Sequence, residues 1–477
     1  MTWLWTSADL VAAMNGRPIG SLPQGVTGIS IDSRAITQGE AFFAIKGDRV
    51  DGHDFASIAA ANGAALLVVS EAKLPALGRL ITPMIVVPDV LKALIDLGCA
   101  ARDRTAARIV AVTGSVGKTT SKEMLRQALV PSGQVHASVA SFNNHWGVPL
   151  TLARMPENTD YGIFEIGMNH PGEIRPLVAM VRPHVAIVTT VAPAHLGNFR
   201  DIEEIAAAKA EIFEGIVPGG HAILNRDNAQ FALLVKAAEA AGVAHVHSFG
   251  ADPEAEFRLL DFEPRAEGGL LTAAIGGQTL EVPMGAPGRH IAENAVAVLG
   301  AVHLAGGDVE KAMAGLAAMR PEKGRGRRHR LARDGGWFTL IDESYNANPA
   351  SMRAALALLR DAAPHDGGRR IAVLGDMLEM GEQSAAVHAE LAGPLAEAGA
   401  TDAWLAGPDM AALFAALPEE MRKEYRADAD ALAAFVLEAV RPGDVLVVKS
   451  SLGTGFGRIV AALLDKYPPI PEREREN

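Results

Sequence analysis

The run Ile109-Val110-Ala111-Val112-Thr113-Gly114-Ser115-Val116-Gly117-Lys118-Thr119-Thr120 carries an apolar strand into a glycine loop that ends in Lys-Thr-Thr and opens a helix. Its chemistry is phosphate binding. Gly114 and Gly117 can take the backbone torsions that aim successive N–H groups inward, and the helix continued by Ser121-Lys122-Glu123-Met124-Leu125 favours an anion at its N-terminus. Lys118 offers a point charge to the β- and γ-phosphates, and the Thr119 hydroxyl suits Mg²⁺. Ser115, Val116 and Thr120 complete the loop. The usual pattern has a further glycine where this chain has Val112, so the loop is the shorter Thr-Gly-x-x-Gly-Lys-Thr form. The plain alternative, a glycine turn between a strand and a helix, sits poorly with the strand–loop–helix context. Two other polar residues stand where a parallel α/β sheet gathers its chemistry, beyond the carboxyl ends of strands. Glu165 follows the strand Tyr161 to Phe164, and His195 follows the strand around Val185 to Thr190 by one short loop. Either could bind a metal, although a lone carboxylate at a strand end is usually a cap or solvated, and a lone histidine is usually structural. A nucleotide in the loop changes that balance, because it arrives with Mg²⁺, which commonly takes a carboxylate from a neighbouring strand.

The elements that must position these residues read as α/β throughout. At 477 residues the chain is long enough for about three domains at ~150 residues each. Short strands and helices mix from Ala8-Asp9-Leu10 to Ile85-Val86-Val87, and Pro88 then begins a helix-like connector. From Arg108 to about Arg320, apolar runs alternate with helical stretches in the rhythm of a parallel sheet. Beyond Pro321-Glu322-Lys323-Gly324-Arg325, the strands Phe338 to Ile341, Ile371 to Leu374 and Val445 to Val448 again alternate with helices, as in a second doubly wound domain. The expected units are residues 1–85, 86–320 and 321–477, the last ending in a solvated, frayed tail over 472–477. The net charge of −12 argues against nucleic acid as a partner. Cys99 is the only cysteine, so no intrachain disulfide can form and a reducing compartment fits. No basic leader with a long apolar core opens the chain, and no apolar stretch nears the ~20 residues that span a bilayer. A cytoplasmic protein without membrane insertion is expected.

At this point the motifs form a resemblance. Gly114 to Thr120, Glu165-Ile166-Gly167-Met168-Asn169, Ala194-His195-Leu196, Ala208-Lys209-Ala210-Glu211-Ile212, His290-Ile291-Ala292-Glu293-Asn294 and Asp342-Glu343-Ser344-Tyr345-Asn346-Ala347-Asn348-Pro349 resemble, in order and spacing, the signatures of the Mur ligases. The resemblance covers nearly the whole chain. It implies three domains: an N-terminal α/β domain that binds a UDP-sugar, a central P-loop ATPase domain with a parallel sheet, and a C-terminal Rossmann-like domain. Within the family, Ser344 to Pro349 and the run Leu374-Gly375-Asp376-Met377-Leu378-Glu379-Met380-Gly381-Glu382 resemble the last cytoplasmic member, which joins D-alanyl-D-alanine to UDP-N-acetylmuramoyl-tripeptide. Asp32-Ser33-Arg34, Gly47 and Asp51-Gly52-His53-Asp54-Phe55 match its uridine-binding domain.

The reaction so implied turns a carboxylate into an acyl phosphate at the expense of ATP, and an amine then displaces phosphate. By resemblance, Lys118 and two Mg²⁺ ions neutralise the transferring phosphoryl group. Thr119 and Glu165 hold one ion and His195 helps to hold the other. Lys209 matches a lysine that in related ligases carries a CO₂-derived carbamate, an anionic oxygen ligand in place of a repelling ammonium; from its segment alone it reads equally well as a solvated lysine on a helix from Ile205 to Phe213. Asn294 resembles the adenine contact, and Arg325 the phosphate-facing arginine. Asp342 and Glu343 stand where the family has paired aspartates, so either could meet the ribose. Asn346 and Asn348 equally suit a turn before Pro349. Ser33, Arg34, Gly47, Asn143 and Asn144 are the candidates for the UDP-sugar peptide, amides adding no charge to an anionic substrate, while Asp376, Met377 and Glu379 lie near the expected dipeptide site. Two other readings compete. One is another ligase of the Mur or folylpolyglutamate type with a different amino acid, although the Asp-Asn-Pro-Arg expected of the diaminopimelate-adding member is absent. The other is an ATP-gated binding or assembly protein that forms no amide, against which the metal-ligand set Glu165, His195 and Lys209 argues. A monomer is the expected state.

Overall fold

The computed structural model describes residues 2–47, 49–139, 141–193, 196–265 and 268–470. Besides a two-stranded antiparallel ribbon of Trp5–Thr6 and Gly25–Val26, three larger sheets follow one another along the chain, each mostly parallel. The first orders its strands Arg17–Ile19, Met84–Val87, Leu66–Ser70, Ala41–Phe43 and Ile29–Ser30, with only the first of these antiparallel to its neighbour. Leu66 to Val69 are all buried because both faces of this sheet are covered, which is why the run is continuously apolar rather than alternating. The helix Val90–Arg104, capped by Asp89 accepting from the Lys92 N–H at 2.9 Å, buries Val90, Leu94, Leu97 and Ala101 in the core of this sheet. Strand Met84–Val87 runs across the expected boundary at 85/86, and the first core therefore reaches into the connecting helix.

The central sheet has nine strands. Arg108–Thr113 lies in its interior, parallel to Tyr161–Glu165 on one side and Val185–Val188 on the other. This brings the glycine loop, Glu165 and the segment after Val188 to one carboxyl edge. Apolar layers fill both faces of the sheet. The parallel rhythm does not persist to Arg320. Gly268–Ile275 pairs antiparallel with Phe257–Arg265, and Gln278–Met284 pairs antiparallel with Gly268–Ile275 at the sheet edge. Gly276 and Gly277 turn the chain between Ile275 and Gln278 at φ 57° and 80°, the torsions of a two-residue hairpin turn that only glycine adopts freely.

The third sheet orders Arg327–Arg333, Gly336–Glu343, Val445–Lys449, Arg370–Gly375, Asp402–Ala406 and Arg422–Arg426, parallel apart from its first strand. The chain leaves Gly336–Glu343, builds outward through Arg422–Arg426, and returns to insert Val445–Lys449 between the first two parallel strands laid down. That switch point is where doubly wound sheets open a crevice. The register sets Glu343 beside Lys449 at its mouth. The three-domain α/β architecture is thus the one the motifs implied, and among the described residues no helix is long and apolar enough to cross a membrane.

Candidate active site

The glycine loop is built by torsion and by space. Gly114 has φ 148° and Gly117 φ 87°. A Cβ on Gly114 would stand 1.9 Å from Thr189 Oγ1, and one on Gly117 would stand 2.6 Å from Asn294 Nδ2. Val112, where a glycine was missing from the pattern, is a fully buried strand residue, so the loop starts after it. Lys118 opens the helix Lys118–Leu129 and donates from Nζ to the Gly114 carbonyl at 2.7 Å. Burial holds its ammonium below the ordinary lysine range, with Glu165 opposing that shift and Arg325 adding to it.

Glu165 is the last residue of its strand and 1% exposed. Asn143 Nδ2 donates to its Oε1 at 2.7 Å, but its Oε2 is buried with no hydrogen-bond partner among the described residues. A buried carboxylate oxygen left unmatched costs stability unless something positive meets it. Thr119, 4% exposed, sits in the first turn of the loop helix and lines the same cavity. Hydroxyl and carboxylate oxygens are the donors a hard divalent cation takes, and Glu165 Oε2 is free to serve. The residues present therefore fit Mg²⁺. His195 lies outside the described residues. Lys209 belongs to the helix Ile202–Ala210, which Asp201 caps; the chain then tightens into a 3₁₀ turn over Glu211–Gly215 instead of continuing as α-helix to Phe213. It is not a solvated lysine. It is 3% exposed, no hydrogen bond or ion pair reaches it among the described residues, and burial followed by the Lys118 charge holds its pKa well below the lysine range.

The C-terminal domain supplies the opposite wall of a cavity of about 390 Å³. Arg325 donates from Nη2 to Ser141 Oγ at 3.3 Å and lies 4.0 Å over the Tyr345 ring. The Tyr345 hydroxyl also meets Ser141 Oγ, at 3.2 Å, and Asn348 Nδ2 meets the Ser115 carbonyl at 3.5 Å. Asn294 is inside the helix Arg289–Leu304, against Gly117, and is no helix cap. The two acidic candidates for the ribose separate sharply. Asp342, 1% exposed, accepts from the Gly324 N–H at 2.9 Å and from the Ser344 N–H and hydroxyl at 3.2 and 2.6 Å, so it fixes the turn that carries Arg325. Glu343 lines the cavity and pairs with Lys449 at 3.0 Å. Asn346 gives its carbonyl to Lys449 at 2.9 Å, while Asn348 caps the helix Pro349–Asp361 in a reciprocal capping box with Ser351.

A second cavity of about 320 Å³ shares Asn143, Gly167, Met168 and Asn169 with the first, and Asn144 and His145 line it too. Asn144 accepts from the Trp146 and Gly147 N–H groups and so caps the helix Gly147–Ala153. Ser33, Arg34 and Gly47 border neither cavity. Arg34 pairs with Asp32 at 2.8 Å and holds that carboxyl at about 2, and Ser33 is buried, its carbonyl taken by Asn62. Gly47 is pressed against Trp146, whose Cη2 a Cβ there would approach to 2.7 Å. Asp376, His388 and Asp409 stand close enough to suggest a metal. However, His388 Nε2 already accepts from the Met377 N–H at 2.9 Å, and its Nδ1 donates to the Ser384 carbonyl at 2.7 Å. Asp376, its carboxyl raised by burial, accepts from Met410, so the trio braces a loop. Ser141, His290, Tyr345 and Lys449 are cavity residues to which the motifs assigned no role. Only Lys449, a charge ending the apolar run Val445 to Val448, carried a visible signal.

Known proteins bear on this arrangement directly. Three family models match in chain order: "Mur ligase family, catalytic domain" over residues 25–102, "Mur ligase middle domain" over 112–302, and "Mur ligase, glutamate ligase domain" over 326–452. The UDP-N-acetylmuramoyl-tripeptide–D-alanyl-D-alanine ligase of Rickettsia prowazekii is 31% identical over 96% of this chain and 99% of its own. The Escherichia coli protein of the same name is 34% identical, over 83% of this chain and 84% of its own. A crystal structure of MurF from Acinetobacter baumannii superposes with a TM-score of 0.83 at 29% identity, covering 97% of this chain and 99% of that one. With three domain models in register and such identity over nearly its full length, the chain belongs to the Mur ligase family.

Proposed function

We propose that this protein joins D-alanyl-D-alanine to UDP-N-acetylmuramoyl-tripeptide with hydrolysis of ATP to ADP and phosphate, in the assembly of peptidoglycan precursors. The observation that carries the reading is the unmatched, buried Oε2 of Glu165 facing a phosphate loop across which a second domain lays Arg325. The names of the relatives supply the substrates. The γ-phosphoryl group passes to the tripeptide carboxylate, releasing ADP. The free amine of the dipeptide attacks the acyl carbon, the C–O bond to phosphate breaks, and the amine loses a proton. Lys118 and Arg325 meet the charge of the transferring group from opposite sides, Asn294 and Glu343 hold the nucleoside, and Asn143 orients Glu165. Bound at Thr119 and Glu165, Mg²⁺ would supply charge neutralisation to the phosphates. His195 and a carbamate on Lys209 would serve a second ion, a role that the burial of Lys209 supports. The domains of this reading are those expected at 1–85, 86–320 and 321–477, with the first extended to take in all of strand Met84–Val87; Ser33, Arg34, Gly47, Asn143 and Asn144 receive the UDP-sugar peptide, and the enzyme works as a cytoplasmic monomer. The test is an amine-acceptor panel with mass detection of product and a phosphate assay. Phosphate release that requires both UDP-sugar peptide and D-alanyl-D-alanine is expected. A preference for a single amino acid would move the chain elsewhere in the family, and ATP hydrolysis indifferent to any amine would make it a nucleotide-gated binding protein.

A further inference from the structure

Ser141 stands where three chemistries meet. Its hydroxyl oxygen is 3.1 Å from the hydroxyl of Thr119 on the phosphate loop, 3.3 Å from Arg325 Nη2 and 3.2 Å from the Tyr345 hydroxyl. The last two residues belong to the other domain, 184 and 204 positions away in sequence. A serine hydroxyl has one proton and two acceptor sites, and a guanidinium only donates. Arg325 therefore takes one acceptor site. Tyr345 donates to the second, which leaves Thr119 to accept the serine proton.

We propose that Ser141 is a positioning residue that couples the state of Thr119 to the docking of the C-terminal domain. The inference rests on the nucleotide-binding reading of the site. A threonine oxygen that gives its lone pair to a cation is a poorer acceptor and a better donor, so its hydrogen bond with Ser141 runs from Thr119 to Ser141. Ser141 then turns its own proton to Tyr345, whose phenol becomes the acceptor. The Tyr345 proton is released toward the cavity that this side chain lines. All three partners stay satisfied in this polarity, and Arg325 and Tyr345 are held against the loop. A side chain without a hydroxyl keeps none of the three contacts.

The test is a double-mutant cycle on the affinity for ADP with magnesium, read by titration calorimetry on the full chain. Ser141→Ala should weaken binding by about tenfold or more, since one of the lost hydrogen bonds is charge-assisted, and Ser141→Thr should restore most of it. Tyr345→Phe should weaken binding in wild type but add little in the Ser141→Ala background. With EDTA in place of magnesium, the coupling between the two positions should shrink. Additive effects, or a coupling unchanged by metal removal, would overturn the proposal. Coupling without any amide formation would leave Ser141 in its role and remove the ligase reading, whereas ligation with additive effects would do the reverse.

Discussion

Replacing Glu165 with glutamine separates metal binding from simple packing. The amide keeps the acceptor that Asn143 uses and removes the charge at the unmatched Oε2. Two small terms oppose each other in the ligand-free protein. Removing a buried charge relieves desolvation, while Lys118 loses the carboxylate that opposes its own desolvation. Thermal stability without ligand should therefore change by no more than about 1 kcal/mol. With ligand the outcome differs. At one hundred times the dissociation constant, magnesium with ADP stabilises the wild type by about 2.7 kcal/mol. A hundredfold loss of affinity, the upper range for disturbed metal sites, leaves about 0.4 kcal/mol at the same concentration. At roughly 2–4 °C per kcal/mol for a domain of this size, the wild-type shift of about 5–10 °C should shrink to about 1 °C. Differential scanning fluorimetry with ADP, with and without EDTA, reads both quantities. A Glu165→Gln protein that keeps the full magnesium-dependent shift would refute the assignment of Glu165 as a metal ligand, and one that unfolds before ligand is added would show that the carboxylate serves the fold.

Three other outcomes follow from the same geometry. Lys118→Ala should abolish ligation while calorimetry still detects the UDP-sugar peptide, because the loop charge serves phosphoryl transfer; near-normal turnover would contradict this. Asp342→Asn should cost about 3 kcal/mol by turning an N–H donor toward Gly324 or Ser344, whereas Glu343→Gln, which strips the buried Lys449 of its carboxylate, should destabilise and also raise the KM for ATP; an unchanged KM would remove Glu343 from the nucleotide site. Lys209→Ala should be nearly inactive and regain part of its activity with added acetate but not with added amine. In CO₂-free buffer the depressed Lys209 pKa means the unfolded chain binds the extra proton, so wild-type stability rises with pH toward the ordinary lysine range, and Lys209→Met should lose that slope. An unchanged slope would mean that the amine is not buried as described.

What was legible in the sequence was local. Gly114, Gly117, Lys118 and Thr119 are adjacent, and Glu165 ends an apolar run, so torsion and strand ends announce them. The hairpin over 268–284 was missed because its short apolar alternations were absorbed into the expected parallel rhythm, although Gly276-Gly277 is a turn signal. Asp342 and Glu343 could not be told apart, since both are acidic and successive strand residues face opposite ways; only the register beside Lys449 decides which one meets the cavity. Ser141 and Tyr345 matter through contacts across a domain interface, and a single sequence holds no periodicity that reports such a contact.

The charge of the site explains why it needs both domains and something more. Lys449 is neutralised by Glu343, and His290, its pKa lowered chiefly by burial, contributes little positive charge at neutral pH. Among the described cavity residues Lys118 and Arg325 then remain to face a triphosphate, and Glu165 stands on the wrong side of that balance for direct phosphate contact. A carboxylate 1% exposed beside a phosphate loop raises the barrier to phosphoryl transfer unless a cation lies between them. The same balance accounts for Lys209. As an ammonium it would repel both Lys118 and a bound cation, in a place too buried for water to screen it. As a carbamate it would turn that repulsion into attraction, which is why carboxylate rescue of Lys209→Ala is the sharper test of the second ion.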